Sequence, residues 1–162
     1  MNILVSVDKN WAIGIGDKKL VSIPNDNNLL REETRGKVVI VGRKTYESLQ
    51  NSLYDRKVIV LSKNNNYKLK DKTVVHSVSE CMDYISKNNI NNDDVFVLGG
   101  ESIYKEFLPY VDTVHVTFID FEYHADKFFE NLDISNAWKK IIETEEETYF
   151  DLAYYFRMYK KI

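Results

Sequence analysis

Cysteine, proline and glycine are all scarce in this sequence of 162 residues, which contains one Cys, two Pro and six Gly. The single cysteine, Cys81, excludes an internal disulfide and leaves no cysteine cluster for a structural zinc ion. A chain without disulfides suits a reducing compartment, and we expect the cytoplasm. The scarcity of Pro and Gly, together with 44% hydrophobic residues, also excludes the low-complexity disordered class of protein.

Long runs of one kind of residue are absent as well. Lys and Arg total 22 against 25 Asp and Glu, for a net charge of −3. Because no basic run could follow a phosphate backbone, we expect no nucleic-acid partner. No stretch reaches the roughly 18 apolar residues of a membrane span, and the N-terminus does not resemble an export signal, so we expect no membrane partner. At this length the simplest expectation is one domain over residues 1–162.

The three histidines, His76, His115 and His124, share no spacing that is typical of metal ligands. We therefore expect no metal site. Their positions otherwise indicate no function, and we interpret them as incidental.

Short apolar runs dominated by Val and Ile recur along the chain, and they are typical of strands that are covered on both faces. They lie at residues 3–7, 38–41, 58–61, 95–98 and 114–119. Helical patterns separate them at about residues 25–35, 44–50, 79–87 and 102–108. This alternation predicts an α/β fold in which a mostly parallel central sheet of about eight strands has helices on both faces. Residues 138–144 and 148–159 break the alternation and predict an antiparallel C-terminal hairpin at one edge of the sheet.

Glycines follow two of the predicted strands. Gly42 ends one strand and is followed at once by Arg43 and Lys44, a combination of free backbone N–H groups and cations that attracts phosphate. Gly99 and Gly100 end another strand, and without Cβ atoms they allow a ligand to approach the backbone closely. Neither segment has the dinucleotide or P-loop fingerprint, but together they indicate a nucleotide site at the carboxyl ends of the strands.

Asp26 lies at the start of the first predicted helix, three and four residues before Leu29 and Leu30. The three side chains therefore share the face that is expected to be buried. One interpretation makes Asp26 a helix cap or a first-turn acid that the helix dipole favours. The other makes it a carboxylate that faces an apolar cleft and is available for proton chemistry.

Six segments occur in the order that is found in dihydrofolate reductases, and nearly the whole chain resembles that family. They are residues 11–14 (WAIG), 23–26 (IPND), 41–49 (VGRKTYESL), 55–62 (DRKVIVLS), 97–104 (VLGGESIY) and 116–120 (VTFID). The resemblance implies hydride transfer from NADPH to C6 of 7,8-dihydrofolate with protonation of N5, which gives tetrahydrofolate. It also implies that dihydrofolate and antifolates are the small-molecule partners of a monomeric enzyme.

The resemblance assigns roles around the substrate. Asp26 matches the carboxylate that hydrogen-bonds the amino group and a ring nitrogen of the pterin and promotes N5 protonation through water, and Thr117 matches the hydroxyl that supports it. Arg56 matches the arginine that pairs with the α-carboxylate of the substrate's glutamate tail. The walls of the pterin and benzoyl pocket are expected from Leu4, Val5, Leu30, Leu49, Leu53, Leu98 and Tyr104.

Other residues match the NADPH site of the family. Arg43, Ser62 and Lys63 are expected to meet the 2′-phosphate. Ser6, Ile13 and Gly14 are expected around the nicotinamide, which the loop after Gly14 covers. The resemblance also implies a cis peptide between Gly99 and Gly100. The remaining cofactor residues are expected to be Gly42, Lys44, Thr45, Leu61, Glu101, Ser102 and Ile103.

The chain departs from the family pattern near Asp26. Val21 stands where the family usually has a Trp whose N–H helps to hold the proton-donating water, and we expect Ser22 or a backbone carbonyl to substitute. Leu30 and Asn27 replace a frequent Phe and a common Leu. Two alternatives stay open: the related NADPH-dependent pyrimidine reductase of riboflavin biosynthesis, which Asp26 and Arg56 argue against, and a nucleotide-binding module without catalysis.

Overall fold

A nine-stranded sheet forms the centre of the computed structural model, which describes residues 1–162 throughout. The chain has twelve strands in all: β1 (Asn2–Val7), β2 (Ala12–Ile15), β3 (Lys18–Lys19), β4 (Val38–Gly42), β5 (Lys57–Leu61), β6 (Thr73–Val75), β7 (Val95–Val97), β8 (Thr113–Ile119), β9 (Lys127–Phe128), β10 (Trp138–Glu143), β11 (Glu147–Tyr149) and β12 (Leu152–Lys161). The helices are α1 (Pro24–Thr34), α2 (Arg43–Leu49), α3 (Val78–Lys87) and α4 (Glu101–Phe107), and four short 3₁₀ helices begin at Gln50, Asn92, Leu108 and Leu132. None of the helices combines the length and the apolar character that crossing a membrane requires.

The sheet has the strand order β10-β12-β8-β1-β7-β4-β5-β6, and β11 pairs with β12. All pairs from β8 to β6 are parallel, whereas the three pairs that involve β12 are antiparallel. The predicted α/β class, with a mostly parallel sheet and an antiparallel C-terminal hairpin, is therefore confirmed. The expected second strand of the hairpin is divided, because the chain turns at Phe150 and Asp151 between β11 and β12.

Helices cover both faces of the sheet, as the sequence predicts. Side chains of β1 alternate: Ile3, Val5 and Val7 join the core cluster that includes α3 and α4, whereas Leu4 joins the cluster that includes α2. Each buried aliphatic side chain contributes about 1.5–3 kcal/mol, so the two clusters stabilise both layers.

Two features of the chain position the site. The parallel pairing of β1 with β8 places Ser6 opposite Thr117, near the carboxyl ends of both strands. Helix α1 begins at Pro24, whose fixed φ suits the first position of a helix, so Asp26 lies in the first turn beside those strand ends. The short strands of a second sheet, in the order β3-β2-β9, lie outside the central sheet and were not predicted.

Candidate active site

A cleft of about 780 Å³ opens at the carboxyl ends of the parallel strands. This volume is in the range of small-molecule sites. The lining includes every predicted site residue except Leu53, Arg56 and Gly99. The structure thus brings together residues that are spread from Leu4 to Thr117 in the sequence.

The Asp26 carboxylate is held by two hydroxyl groups of the sheet. Thr117 Oγ1 donates to Asp26 Oδ1 at 2.6 Å, and Ser6 Oγ donates to Asp26 Oδ2 at 2.5 Å. The side chain is only 12% exposed, and Lys19 Nζ lies 3.7 Å from Oδ2. Because the N-cap residue of α1 is Ile23 and the carboxylate bonds across to strands, Asp26 does not cap its helix. Asp26 therefore presents to the cleft a carboxylate whose oxygens are held in fixed positions.

Tyr104 lines the cleft, and its ring lies against Gly99. The Tyr104 hydroxyl donates to the Leu4 carbonyl oxygen at 2.7 Å, and burial raises the pKa of Tyr104 far above its usual value, so it stays a neutral donor. A Cβ at Gly99 would lie 2.9 Å from the Tyr104 ring, and φ at Gly99 is +106°. Only glycine suits this position. The bond to Gly100 is a cis peptide.

The predicted cofactor residues meet where β4, β5 and β7 end. The Gly42 amide donates to the Gly99 carbonyl oxygen at 2.8 Å, which joins the two glycine turns. The Thr45 hydroxyl oxygen lies 3.5 Å from the position of a Cβ at Gly100. Cations and hydroxyls of Arg43, Lys44, Thr45, Ser62 and Lys63 line this end of the cleft. This donor set suits the phosphates of a dinucleotide.

Each cation at this end of the cleft has a carboxylate neighbour. Arg43 Nη1 lies 3.1 Å from Glu47 Oε1, and Lys63 Nζ lies 3.1 Å from Glu106 Oε1. Lys44 Nζ lies 3.2 Å from Asp17 Oδ1, an ion pair between α2 and the turn that joins β2 to β3. A phosphate at these cations must therefore compete with carboxylates, which the sequence analysis did not foresee.

The segment after Gly14 lies along the cleft and is fastened to the loop before β9. The Asp126 amide donates to the Gly14 carbonyl oxygen at 3.1 Å, and the Gly16 amide donates to Asp126 Oδ1 at 3.0 Å. A Cβ at Gly14 would lie 2.7 Å from the Lys18 carbonyl oxygen, so close pairing of β2 and β3 needs glycine there. These hydrogen bonds hold the segment after Gly14 against the loop before β9.

Arg56 and Leu53 lie beside the cleft and not in its lining. Arg56 is 8% exposed; its Nε donates to Thr34 Oγ1 at 2.8 Å, and its Nη2 donates to the Arg31 carbonyl oxygen. These bonds tie the last turn of α1 to the segment before β5. Leu53 is 1% exposed and packs in the core cluster on the α2 side of the sheet.

Sequence reasoning missed several lining residues. They are Gly16, Asp17, Lys18, Lys19, Leu29, Ser48, His115 and Lys127. His115 could have been found, because it lies two residues before Thr117 on β8 and therefore faces the same side. Burial lowers the pKa of His115, so its ring is neutral at pH 7. The structure places His115 in the cleft lining, a position that its spacing from the other histidines did not indicate.

Val21, which departs from the family pattern before Asp26, and its neighbour Ser22 contact other residues. Val21 packs against the small apolar cluster of Ile23, Ile119 and Tyr154. The Ser22 hydroxyl accepts a hydrogen bond from Asn27 Nδ2 at 2.9 Å on the exposed side of α1. The chain before α1 instead brings the ammonium group of Lys19 near Asp26, a contact that was not predicted.

Known proteins with similar sequences and structures share one description. The sequence model of the dihydrofolate reductase family matches residues 1–161. A dihydrofolate reductase of Staphylococcus haemolyticus is 32% identical over 167 residues, which cover 100% of this chain and 96% of that protein. That of Bacillus subtilis (strain 168) is 32% identical over 164 residues, or 99% and 94% of the two chains. The solved structure of dihydrofolate reductase from Enterococcus faecalis complexed with NADP(H) and RAB-propyl superposes with a TM-score of 0.81 at 27% identity, covering 99% of this chain and 95% of that one.

Proposed function

Since the chain belongs to the dihydrofolate reductase family, we propose that the cleft around Asp26 is the place where it reduces 7,8-dihydrofolate to tetrahydrofolate with NADPH. The activity is that of an NADPH-dependent oxidoreductase, and dihydrofolate and antifolate inhibitors are its small-molecule ligands. The observation that carries the proposal is the Asp26 carboxylate, fixed by Ser6 and Thr117 in a cleft whose other end is lined by the cations Arg43, Lys44 and Lys63.

Asp26 binds and orients the pterin ring. A 2-amino-4-oxopteridine presents an amino group and a neighbouring ring nitrogen side by side, and a carboxylate with both oxygens fixed accepts two parallel hydrogen bonds. Ser6 and Thr117 donate to the carboxylate, so it needs no reorganisation when the ring arrives. The apolar side chains of Leu4, Leu30 and Leu98 form walls of the same space.

The reduction adds a hydride to C6 and a proton to N5 of dihydrofolate. NADPH, when bound, would supply the hydride and be converted to NADP⁺. The proton comes from solvent, and the negative charge of Asp26 favours protonation of the ring that it holds. Ile13 and Gly14 line the cleft in the segment after β1, where they would limit the access of bulk water to the reacting atoms.

The cofactor end of the cleft suits NADPH. Arg43, Ser62 and Lys63 lie together where a 2′-phosphate is expected, and Lys44 and Thr45 are available for the other phosphates. Charge-assisted hydrogen bonds to the 2′-phosphate favour NADPH over NADH.

Arg56 is assigned to the glutamate tail of dihydrofolate. A guanidinium has five N–H groups, and the bonds to Thr34 and Arg31 use two of them. The remaining N–H groups are available for a bidentate bond to a carboxylate at the end of α1.

We also propose that the protein is a single domain over residues 1–162 that works as a monomer in the cytoplasm, without nucleic-acid or membrane partners. Every residue assigned to the site belongs to one chain, so the proposed site requires no second copy. NADPH and dihydrofolate are intracellular metabolites, which supports the location. Analytical ultracentrifugation and cell fractionation test these two statements.

The function is tested by following the absorbance of NADPH with dihydrofolate as the second substrate. We expect turnover by the unmodified protein and a large loss for Asp26→Asn. Glu32→Gln removes a carboxylate from the exposed side of the same helix and is expected to retain the activity. Absence of NADPH oxidation by the unmodified protein, or an equal loss in both variants, would contradict the assignment.

A further inference from the structure

A lysine from the loop beside the cleft reaches the carboxylate on which the proposed function depends. Lys19 Nζ lies 3.7 Å from Asp26 Oδ2, and the Lys19 side chain is 50% exposed. Lys19 belongs to β3, and its pairing with β2 places it opposite Gly14. The cation is therefore delivered by the segment that lies along the cleft.

Two hydrogen bonds and one ion pair engage the Asp26 carboxylate. Thr117 occupies one position on Oδ1, and Ser6 and Lys19 both lie at Oδ2. A carboxylate offers about four acceptor positions, and a ring with an amino group and an adjacent N–H needs two of them. The two hydroxyls leave the two positions that the ring needs, so an arriving ring binds beside the Lys19 ammonium, which lies 3.7 Å from Oδ2 and forms no hydrogen bond with it.

The other cations of the cleft have different partners or none. Lys44 pairs with Asp17, and Lys127 Nζ lies 3.7 Å from Asp126 Oδ1. Lys18 lines the cleft beside Lys19 but forms no ion pair. Lys19 is thus the cation whose charge acts directly at Asp26.

We propose that Lys19 is a specificity-determining residue, which makes the site discriminate against ligands whose ring brings its own positive charge to Asp26. This inference rests on the proposed function, because it takes Asp26 as the partner of the ring. A 2-amino-4-oxopteridine is neutral and meets no charge repulsion from Lys19. A 2,4-diaminopteridine is more basic and pairs with a carboxylate as a protonated cation, so it meets the repulsion of the Lys19 ammonium.

The test uses two ligands that differ at one position of the ring. Folic acid and aminopterin have the same glutamate tail, and aminopterin carries a 4-amino group in place of the 4-oxo group. Their dissociation constants are measured by isothermal titration calorimetry for the unmodified protein and for Lys19→Met. We expect Lys19→Met to strengthen the binding of aminopterin relative to that of folic acid by about fivefold. This factor corresponds to the repulsion between two unit charges about 4 Å apart in water.

Two further variants separate the ion pair from net charge. Lys18→Met removes the same charge from the same strand and is expected to leave the ratio of the two dissociation constants unchanged. Lys19→Arg keeps the charge and is expected to retain the ratio of the unmodified protein. Because Lys19 is half exposed, high salt should reduce the effect of Lys19→Met.

Several results would overturn the proposal. One is an unchanged ratio of the two dissociation constants in Lys19→Met, including the case in which both ligands gain affinity equally. Another is the same change of that ratio in Lys18→Met. Turnover of NADPH with dihydrofolate by the unmodified protein is measured first, and it tests the proposed function separately. A protein that turned over dihydrofolate but showed no change of ratio would retain the function and lose the role of Lys19, whereas failure of both ligands to bind would overturn both.

Discussion

The two ends of the cleft are built in different ways. At the substrate end, Asp26 is 12% exposed and is held by neutral hydroxyls whose positions follow from the pairing of β1 with β8. At the cofactor end, the side chains of Lys44 and Lys63 are 65% and 78% exposed and pair with carboxylates. Exposed ion pairs contribute only about 0–1 kcal/mol, so a phosphate replaces the carboxylates at little cost.

This difference has a functional consequence. The buried end is fixed before the ligand arrives, which suits a group that must orient a reacting ring. The exposed end exchanges one anion for another, which suits a cofactor that binds and leaves in every turnover. Changes at the substrate end should therefore affect the reaction, and changes at the cofactor end should affect affinity and its dependence on salt.

The largest effect is expected where the two ends join. Gly99 accepts the Gly42 amide, and a Cβ at Gly99 would meet the Tyr104 ring at 2.9 Å with φ at +106°. Gly99→Ala should lower the free energy of unfolding by about 2–4 kcal/mol, from strain and overpacking together. Urea denaturation measures this. Gly16→Ala is the matched control, since its φ is +57° but no atom lies within 4 Å of its Cβ, and it should cost about 1 kcal/mol. Equal losses would show that the contact with Tyr104 is unimportant.

A second test distinguishes the two roles of Arg56. Arg56→Ala should weaken dihydrofolate binding by about 2–4 kcal/mol and hardly affect a pterin that lacks the glutamate tail. Thr34→Val is the control, because it removes the partner of Nε but keeps the guanidinium. Calorimetric titration of both ligands is the measurement. If Thr34→Val weakened dihydrofolate as much as Arg56→Ala, Arg56 would act only by positioning α1.

A smaller effect is expected at the exposed end. The cations around the 2′-phosphate position should make kcat/KM at least about tenfold higher with NADPH than with NADH. Lys63→Ala should remove part of this preference. Glu106→Gln, which releases Lys63 from its ion pair, should increase the affinity for NADPH by up to about threefold. Equal kcat/KM for the two cofactors, or a weaker affinity for NADPH in Glu106→Gln, would contradict this description of the exposed end.

The smallest effect concerns His115 on the floor of the substrate end. Burial lowers the pKa of His115 below its usual 6.5 in the folded protein, so the unfolded chain binds a proton more readily. The stability from this group is therefore present above about pH 6.5 and is lost as the pH falls below that value. His115→Gln should flatten the decline of the urea midpoint as the pH falls below about 6.5. His124→Gln serves as the control, and the same flattening there would argue against a specific effect of His115.

The central sheet could be predicted because its strands are buried on both faces. Val38 to Val41 show this as an unbroken apolar run. Strand β3 could not be predicted, because it consists of two lysines that form a strand only by pairing with β2. Its unexpected position is also the reason why Lys19 was missed.

The candidate site shows the same division. Asp26 and Thr117 were predicted through the family resemblance. They meet because α1 begins at Pro24, which places Asp26 in its first turn beside the end of β8. The ion pairs of Lys44 and Lys63 could not be found, because their partners Asp17 and Glu106 lie far away in the sequence. Exposed charges carry no pattern that specifies a partner, whereas buried apolar residues follow the period of their strand or helix.

The role proposed for Asp26 is to promote the protonation of N5 during the reduction. Single-turnover hydride transfer should be measured against pH for the unmodified protein and for Asp26→Asn, with both ligands saturating. We predict that the variant is at least about 100-fold slower at neutral pH and partly recovers in acid, where bulk solvent protonates N5. Two parallel profiles, separated by the same factor at every pH, would contradict the account and make Asp26 a residue that only binds the ring.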